Sequence, residues 1–370
     1  MYFSKPTTTL YNSLLTILSI TPILAAPAST PTQLDATTLQ QIDTFARYSS
    51  AAYCRNVIDS TVNSTVCSNQ PLSSCGLLAD ATTVAEFNGD RTISGYIAVS
   101  KSQKLIVVSF RGTGPDSFRD VMNDIKFCLK DPRSLLTGLK NTVKAICGVL
   151  PNTPAEENDK VLPLCDNCTV HTGFWAAFRG IKDETMRVVN QQRQQNPGFA
   201  VVTTGHSLGG AVATITGAYI RKSGINTDIY TYGSPRVGDA AFADFVSTQP
   251  NGKTFRITNG ADPVTVIPGI VAGYAHTTPE FWFPNGVEQP DNMQICEGVL
   301  NVSCSAQFLV NPLKLGDHSS SKYTKGFDAC RERKGRAIDP EKPDIITAED
   351  IDQWKRQGLV DNSTTPITEG

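Results

Sequence analysis

Apolar residues along this chain follow two patterns, one with the period of a helix and one typical of buried strands. Residues 34–54 place apolar side chains on one helical face, after Asp35 as a candidate N-cap. Residues 104–110 contain four consecutive apolar residues from Leu105, which predict a strand that is buried on both faces. Similar patterns predict strands at 93–100, 199–204, 228–232, 254–258 and 280–283, and helices at 174–195, 211–220 and 240–246.

The order of these elements indicates the fold class. Strands alternate with helices, which is typical of an α/β protein with a largely parallel sheet. Two segments interrupt this alternation. We interpret residues 129–164 as an insertion that folds as one helix, and residues 331–370 as a charged C-terminal extension.

A candidate nucleophile lies between a predicted strand and a predicted helix, in the sequence Gly205-His-Ser-Leu-Gly209. G-x-S-x-G in this context is typical of a nucleophile elbow, a strained turn that exposes a serine hydroxyl. Side chains two residues before or after the serine would collide in such a turn, which explains the two glycines. The sequence therefore predicts Ser207 as a nucleophile in an α/β-hydrolase fold, with a central, mostly parallel sheet flanked by helices.

The general base is expected downstream, because α/β-hydrolases carry their triad in the order serine, acid, histidine. His171 precedes the nucleophile, and His206 is assigned to packing because neighbouring side chains point apart across the elbow. His276 leads into a predicted strand, which suits a buried, hydrogen-bonded histidine, whereas His318 lies in a polar loop. We predict His318 as the base, and Asp317 as a poor orienting acid because it is the neighbouring residue.

The acid and the oxyanion donors are predicted at strand ends. Asp262 follows the strand at 254–258, where a carboxylate can hold the imidazole tautomer, although an ordinary turn aspartate is the alternative. The backbone N–H groups of Leu208 and Thr113 are predicted to bind the charge of a tetrahedral intermediate. Asp124 is a candidate to orient the Thr113 hydroxyl.

Composition excludes several classes of function. The chain has 33 Lys+Arg against 35 Asp+Glu, a net charge of -2, and 18% charged residues. This balance argues against a nucleic-acid partner. No histidine pair has metal-ligand spacing and a serine triad needs no cofactor, so we predict neither a metal nor a cofactor.

The start of the chain predicts export. Residues 1–28 combine Lys5, a mostly apolar stretch from Leu10 and the small residues around Pro27, a pattern typical of a secretory signal peptide. A transmembrane anchor is the alternative, but polar residues interrupt the run, which is marginal against the ~20 residues of a spanning helix. We predict a secreted, extracellular protein whose main domain covers residues 29–330.

All ten cysteines follow the predicted signal peptide, so export makes disulfides the default expectation. Closeness in sequence suggests four pairs, and Cys54 and Cys330 are left to tie the start of the domain to its end. The four are Cys67 with Cys75, Cys128 with Cys147, Cys165 with Cys168, and Cys296 with Cys304. The C-x-x-C spacing at 165–168 also occurs in redox and zinc sites, but no second such motif adjoins it, which favours a structural bridge.

Sequons fit a secreted surface. We predict glycosylation of Asn63, Asn301 and Asn362, whereas Asn167 lies inside a tight predicted disulfide loop and is expected to stay unmodified.

Six segments spread over about residues 40–330 carry a family resemblance. They are Ala51-Ala-Tyr-Cys54, Ser109-Phe-Arg-Gly-Thr113, Cys165-Asp-Asn-Cys168 with His171-Thr-Gly-Phe174, Thr204-Gly-His-Ser-Leu-Gly-Gly210, Tyr232-Gly-Ser-Pro-Arg-Val-Gly238 and Gly273-Tyr-Ala-His276. In these segments the chain resembles the secreted fungal lipases of the class 3 type, the family of the Rhizomucor, Thermomyces and Yarrowia enzymes.

The resemblance implies a triacylglycerol lipase. It implies a triad of Ser207, Asp262 and His318, with Thr113 and Leu208 as oxyanion donors. It also implies the cysteine pairs above except Cys128 with Cys147. The insertion, this extra pair and the charged extension depart from the family pattern.

The segment after the oxyanion loop, at about 114–126, bears on the substrate. Its apolar residues form one stripe of a short helix: Phe118, Val121, Met122 and Ile125. An amphipathic lid would cover an apolar groove in water and turn outward at a lipid–water interface, although an ordinary surface helix gives the same stripe. The lid interpretation predicts long-chain acylglycerols as substrates. Separately, we expect the enzyme to be a monomer.

Three alternatives stay open. A feruloyl-type esterase of the same family would act on plant cell-wall esters beneath a polar lid. A mono- or diacylglycerol lipase would use the same residues on smaller acylglycerols. A non-catalytic lipid-binding protein would keep the fold without turnover, which the complete triad argues against.

Overall fold

Eight strands form one sheet, and their order across the sheet is their order along the chain. This computed structural model describes residues 34–54, 57, 62–67, 75–87, 93–112, 164–165, 168–310 and 314–325. The strands are β1 Thr82–Phe87, β2 Gly95–Ser100, β3 Leu105–Phe110, β4 Ala200–His206, β5 Thr227–Tyr232, β6 Thr254–Asn259, β7 Glu280–Phe283 and β8 Gln294–Cys296.

The sheet is parallel in its centre. Strands β3 to β7 pair in parallel, whereas the β1–β2, β2–β3 and β7–β8 pairs are antiparallel. The predicted α/β class with a mostly parallel sheet is therefore confirmed. Because parallel strands direct their carboxyl ends to one edge, the residues that follow β4, β5 and β6 meet there.

In the described part of the chain four α-helices accompany the sheet, and their bounds are α1 Ala36–Ala51, α2 Thr172–Gln195, α3 Leu208–Lys222 and α4 Ala240–Thr248. The predicted N-cap Asp35 accepts a hydrogen bond from the Thr38 N–H at 2.9 Å and so satisfies an end group of α1. The α3 helix begins at Leu208, three residues before its predicted start, because the elbow itself provides its N-terminus.

Apolar side chains of β3 fill two separate cores. Val107 packs on one face of the sheet with Phe45 of α1, whereas Ile106 and Val108 pack on the other face with residues of α2 and α3 such as Ile181. A parallel strand covered by helices on both faces needs apolar side chains at successive positions. This is why the continuous run from Leu105 predicts β3 correctly.

Two edge strands have no counterpart among the predicted elements. In β1 only alternate positions are buried, namely Thr83, Ala85 and Phe87. Small and polar residues at these positions give a weak period of two, and β8 has only three residues. Pairing with β2 and β7, rather than local pattern, defines these strands.

Three of the suggested disulfides are present in the described part of the chain: Cys67–Cys75, Cys165–Cys168 and Cys296–Cys304. Cys54 is also disulfide-bonded. Cys128, Cys147 and Cys330 lie outside the described residues, so the pairs that include them stay predictions.

Other predictions also fall outside the described residues. They are the signal peptide at 1–28, Thr113 and Asp124, the lid at about 114–126, nearly all of the 129–164 insertion, Asn167, and the 331–370 extension with Asn362. Of the predicted glycosylation sites, Asn63 is exposed and the Asn301 amide donates to the Glu297 carbonyl at 2.6 Å. Among the helices that the structure describes, none has the length and apolar character to cross a bilayer.

Candidate active site

Ser207 lies on a sharp turn between β4 and α3. Its backbone has φ 59° and ψ −131°, a left-handed conformation that a residue with a side chain adopts only at a cost of about 1–3 kcal/mol. The two flanking glycines allow this turn. A Cβ on Gly205 would lie 2.3 Å from the Gly209 oxygen, and one on Gly209 would lie 2.2 Å from the Phe110 oxygen. The strained backbone and these close approaches have the geometry of a nucleophile elbow.

Two backbone segments converge on this elbow. The Ser207 N–H donates to the Tyr232 carbonyl at the end of β5, at 2.9 Å. The loop after β3 passes so close that a Cβ on Gly112 would lie 2.9 Å from Ser207 Cβ. Leu208 is the first residue of α3, where backbone N–H groups have no acceptor within the helix. The predicted donor Leu208 therefore adjoins the nucleophile, and the loop leading to Thr113 reaches the same place.

The predicted acid and base lie together at the carboxyl edge of the sheet. Asp262 follows β6, and His318 ends a short 3-10 helix, Leu315–His318. His318 Nδ1 lies 3.0 Å from Asp262 Oδ1 and 2.9 Å from Oδ2. The two residues are 1% and 5% exposed, respectively, so little water screens their interaction. In the neutral imidazole this contact places the proton on Nδ1 and leaves Nε2 as the basic nitrogen.

Asp262 has two further hydrogen-bond donors. The Val264 N–H donates to Oδ1 at 2.8 Å, and the Tyr323 hydroxyl donates to Oδ2 at 2.6 Å. Burial, followed by the nearby carboxylate, raises the pKa of Tyr323 well above its ordinary value, so the phenol keeps its proton and stays a donor. Sequence reasoning missed Tyr323, since a tyrosine in a polar loop carries no pattern that points to a carboxylate 61 residues away.

Gly233 joins the two halves of the site. It follows β5 with φ 55°, and a Cβ there would lie 2.7 Å from Asp262 Oδ2 and 3.1 Å from His318 Nδ1. The next residue, Ser234, packs beside the elbow, because a Cβ on Gly210 would lie 2.9 Å from Ser234 Cβ. The segment between β5 and α4 therefore lies against both the acid–base pair and the helix that begins at the elbow.

His206 is buried, as its assignment to packing predicts, and it also has two polar contacts. Its ring Nδ1 lies 2.7 Å from the Tyr53 hydroxyl, and Nε2 lies 2.8 Å from the backbone oxygen of His318. The sequence analysis does not predict the contact between the His206 ring and the loop that carries His318.

Comparisons with known proteins agree with this geometry. Residues 107–272 match the family model described as lipase (class 3). Over 230 residues the chain is 37% identical to the secreted mono- and diacylglycerol lipase 1 of Fusarium solani, a match that covers 61% of this chain and 59% of the relative. Over these residues the chain is similar to the class 3 lipases.

Two further comparisons agree with this similarity and with the fold. The secreted mono- and diacylglycerol lipase A of Penicillium cyclopium is 31% identical over 228 residues, 60% of this chain and 62% of the relative. The crystal structure of a lipase from Rhizopus microsporus var. chinensis is 26% identical, with a TM-score of 0.58 over 79% of this chain and 90% of that one. The fold of this chain is thus the predicted α/β-hydrolase fold. The chain spans about three-fifths of the length of the curated relatives it matches.

The other downstream histidine, His276, does not contact Asp262; its ring bonds elsewhere. His276 Nε2 lies 2.5 Å from the Thr265 carbonyl oxygen, and the ring lines a small polar cavity with Arg256. Arg256 in turn forms a buried ion pair with Glu280, with Nη2 and Oε2 2.9 Å apart. His276 therefore belongs to a buried polar cluster, in agreement with the environment that its sequence context predicts.

Asp317 is likewise not an orienting acid. Its Oδ2 accepts the Ala261 N–H at 2.8 Å, and burial raises the pKa of this carboxyl above its ordinary value. The contact links the residue before His318 to the residue before Asp262. Among the residues that the structure describes, no group of three histidine, cysteine or acidic side chains is arranged to hold a metal ion.

We expect three histidines to make the stability of this protein sensitive to acid. Burial lowers the pKa of His171 to about 4 and lowers the pKa values of His206 and His276 well below 6.5. Below pH 6.5 the unfolded chain binds protons that the folded chain does not, so the free energy of unfolding falls as pH falls. Above pH 6.5 the histidines are neutral in both states, and the full stability is present. We expect a loss of up to about 1.4 kcal/mol per pH unit for each histidine, measured by urea unfolding between about pH 5 and 6.5.

A matched variant tests the origin of this acid sensitivity. His171 is the N-cap of α2, where its ring accepts the Gly173 N–H, and asparagine is a good substitute there. His171→Asn should therefore reduce the pH slope by about a third while it keeps the stability near neutral pH. An unchanged slope in the variant, or a flat profile in the native chain, would contradict the explanation.

Proposed function

We propose that this protein is a serine hydrolase that cleaves carboxylic esters of acylglycerols through Ser207, His318 and Asp262. The proposal rests chiefly on one observation: a buried imidazole–carboxylate pair contacts, through the His318 backbone, the residue that precedes a serine held in a strained elbow. The similarity of residues 107–272 to the class 3 lipases supports the same chemistry.

The first half-reaction acylates the serine. His318 Nε2 takes the proton from Ser207 Oγ as the oxygen attacks the ester carbonyl carbon, which converts the carbonyl into a tetrahedral oxyanion. The Leu208 N–H, together with that of Thr113, stabilises this negative charge. The intermediate collapses when the C–O bond to the alcohol breaks, and the imidazolium gives its proton to the departing glyceride oxygen.

The second half-reaction reverses these roles with water. His318 removes a proton from a water molecule that attacks the acyl-enzyme, and then returns a proton to Ser207 Oγ as the fatty acid leaves. Asp262 stabilises the imidazolium that forms in both halves. The Tyr323 hydroxyl and the Val264 N–H hold the carboxylate in place while the charge on the imidazole changes.

For the substrate class, we propose partial acylglycerols. The relatives that are 37% and 31% identical are named mono- and diacylglycerol lipases. The sequence analysis predicts triacylglycerols instead, and the apolar stripe of the lid segment is the observation that favours this second candidate. In either case the substrate is met at a lipid–water interface.

We also infer that the protein is exported and acts as a monomer. The signal-peptide pattern at residues 1–28 supports export, as do the disulfides and the relatives that are named as secreted.

A panel of acyl esters tests the proposed function. The purified protein should hydrolyse emulsified mono- and dioleoylglycerol faster than trioleoylglycerol, and methyl ferulate slowest. Faster hydrolysis of trioleoylglycerol would favour a triacylglycerol lipase, and a preference for methyl ferulate would favour a feruloyl-type esterase. A serine-reactive phosphonate should form an adduct on Ser207, and its absence together with no turnover would favour a lipid-binding protein.

A further inference from the structure

His206 connects the segment of the nucleophile with the residue of the base. It is the last residue of β4 and directly precedes Ser207. Its Nε2 lies 2.8 Å from the His318 backbone oxygen, and the two imidazole ring centroids are 4.6 Å apart. A hydrogen bond to the backbone of the base, rather than to its ring, fixes the position of the base without competing for its proton.

The protonation state of His206 follows from its partners. Burial, followed by the neighbouring His318, lowers the pKa of His206 well below its ordinary value, so the ring is neutral near neutral pH. Because a carbonyl oxygen can only accept, the single ring proton must be on Nε2. Nδ1 then accepts the Tyr53 hydroxyl hydrogen at 2.7 Å. A neutral His206 also avoids repulsion when His318 becomes charged during turnover.

Two other hydrogen bonds join the loop that carries His318 to the residues around Asp262. The Asn259 side-chain N–H donates to the Asp317 carbonyl at 2.9 Å, and Asp317 Oδ2 accepts the Ala261 N–H. Both contacts anchor the loop to the residues around Asp262. They fix the base relative to the acid. The His206 contact instead fixes the base relative to β4, the strand that leads to Ser207.

Tyr53 joins the same arrangement to the oxyanion loop. A Cβ on Gly112 would lie 2.2 Å from the Tyr53 hydroxyl oxygen, so this phenol touches the loop that leads to Thr113. The Tyr53 and His206 rings are tilted against each other with centroids 5.8 Å apart. The Tyr323 ring lies on another side of His206, with centroids 5.5 Å apart.

We propose that His206 is a positioning residue that sets the distance between the His318 imidazole and Ser207 Oγ, with Tyr53 donating to Nδ1 and so holding the ring in its orientation. The proposal rests on the proposed function, because it acts through the triad. It assigns catalytic importance to a residue that touches neither substrate nor the reacting atoms. Displacement of an imidazole by about an ångström costs on the order of 10²-fold in rate, which is enough to detect.

Two amide variants of His206 separate positioning from packing. In His206→Gln the side-chain amide nitrogen can occupy the place of Nε2 and donate to the His318 carbonyl. In His206→Asn the amide is one bond shorter, so it can accept from Tyr53 but cannot reach His318. For His206→Asn we expect kcat to fall about 10–100-fold with KM within about twofold, whereas His206→Gln stays within about fivefold of the native kcat.

A second readout needs no substrate. The proton between His318 Nδ1 and Asp262 should give a low-field proton NMR resonance, assigned by its loss in Asp262→Asn. It should persist in His206→Gln and weaken or broaden in His206→Asn. If the native protein cleaves no ester while this pattern holds, the proposed function fails and the positioning contact stands.

Other outcomes would overturn the proposal. Native kcat and an unchanged resonance in His206→Asn would do so, and so would equal losses of kcat in the two amide variants. Should His206→Asn fail to fold, Tyr53→Phe provides the decision: removal of its hydroxyl should lower kcat about threefold to tenfold at unchanged KM. An unchanged kcat in folded Tyr53→Phe would then reject the role of this pair.

Discussion

Ser207→Ala is expected to lower kcat for acylglycerol hydrolysis by about 10⁶-fold while KM and the fold are retained. Alanine removes only Oγ, and its Cβ occupies the same place in the elbow, so the backbone strain at φ 59° is unchanged. Without an attacking oxygen no acyl-enzyme forms, and only the oxyanion donors and substrate binding remain. The measurement is initial rate on emulsified dioleoylglycerol, with adsorption to the lipid surface recorded for both proteins.

The other end of the same helix supplies a control for this result. Ser223 is the C-cap of α3, about 22 Å from its start at 1.5 Å per residue, and its hydroxyl bonds the Ile220 carbonyl. Ser223→Ala should keep the native kcat. Appreciable turnover by Ser207→Ala, clear of contaminating esterase, would mean that another residue carries out the attack.

We expect Asp262→Asn to lower kcat by about 10⁴-fold with little change in KM. Asparagine has the same shape and still offers one oxygen to the Tyr323 hydroxyl, but its NH₂ group donates toward His318 Nδ1. The imidazole then carries its proton on Nε2, which can no longer accept the proton of Ser207. A loss of this size with an intact fold therefore reports a wrong tautomer, and it is measured from kcat and KM on the same emulsion.

An aspartate elsewhere serves as the matched control for Asp262→Asn. Asp239 is the N-cap of α4, where Oδ1 accepts the Phe242 N–H at 2.9 Å, and asparagine caps helices equally well. Asp239→Asn should therefore keep native activity. If Asp262→Asn retained activity within about tenfold of the native enzyme, Asp262 would not be the orienting acid.

The elements best predicted from sequence are those whose local pattern and tertiary environment agree. β3 is apolar at successive positions because helices cover both of its faces, and the elbow has glycines wherever a Cβ would meet backbone. The edge strands β1 and β8 were missed, since their side chains carry little apolar pattern and their backbone pairing comes from distant partners.

The candidate site divides in the same way. Chain order and loop placement suffice to choose His318 over His276 as the predicted partner of Asp262. They do not reveal Tyr323 as a donor to Asp262, nor do they predict that His206 meets the backbone of His318. Single polar residues 61 and 112 positions apart leave no periodic signal, so only the folded chain brings them together.

By itself, the sequence of this protein determined the α/β class, the elbow at Ser207 and the expected order of acid and base, because each of these depends on local rules of burial, backbone sterics or chain order. The tertiary structure alone decided how the site is held: Tyr323 on the carboxylate, Asp317 on the Ala261 backbone, and His206 between Tyr53 and the His318 carbonyl. These are hydrogen bonds between segments far apart in the chain, and the packing of helices and loops on the sheet sets their geometry.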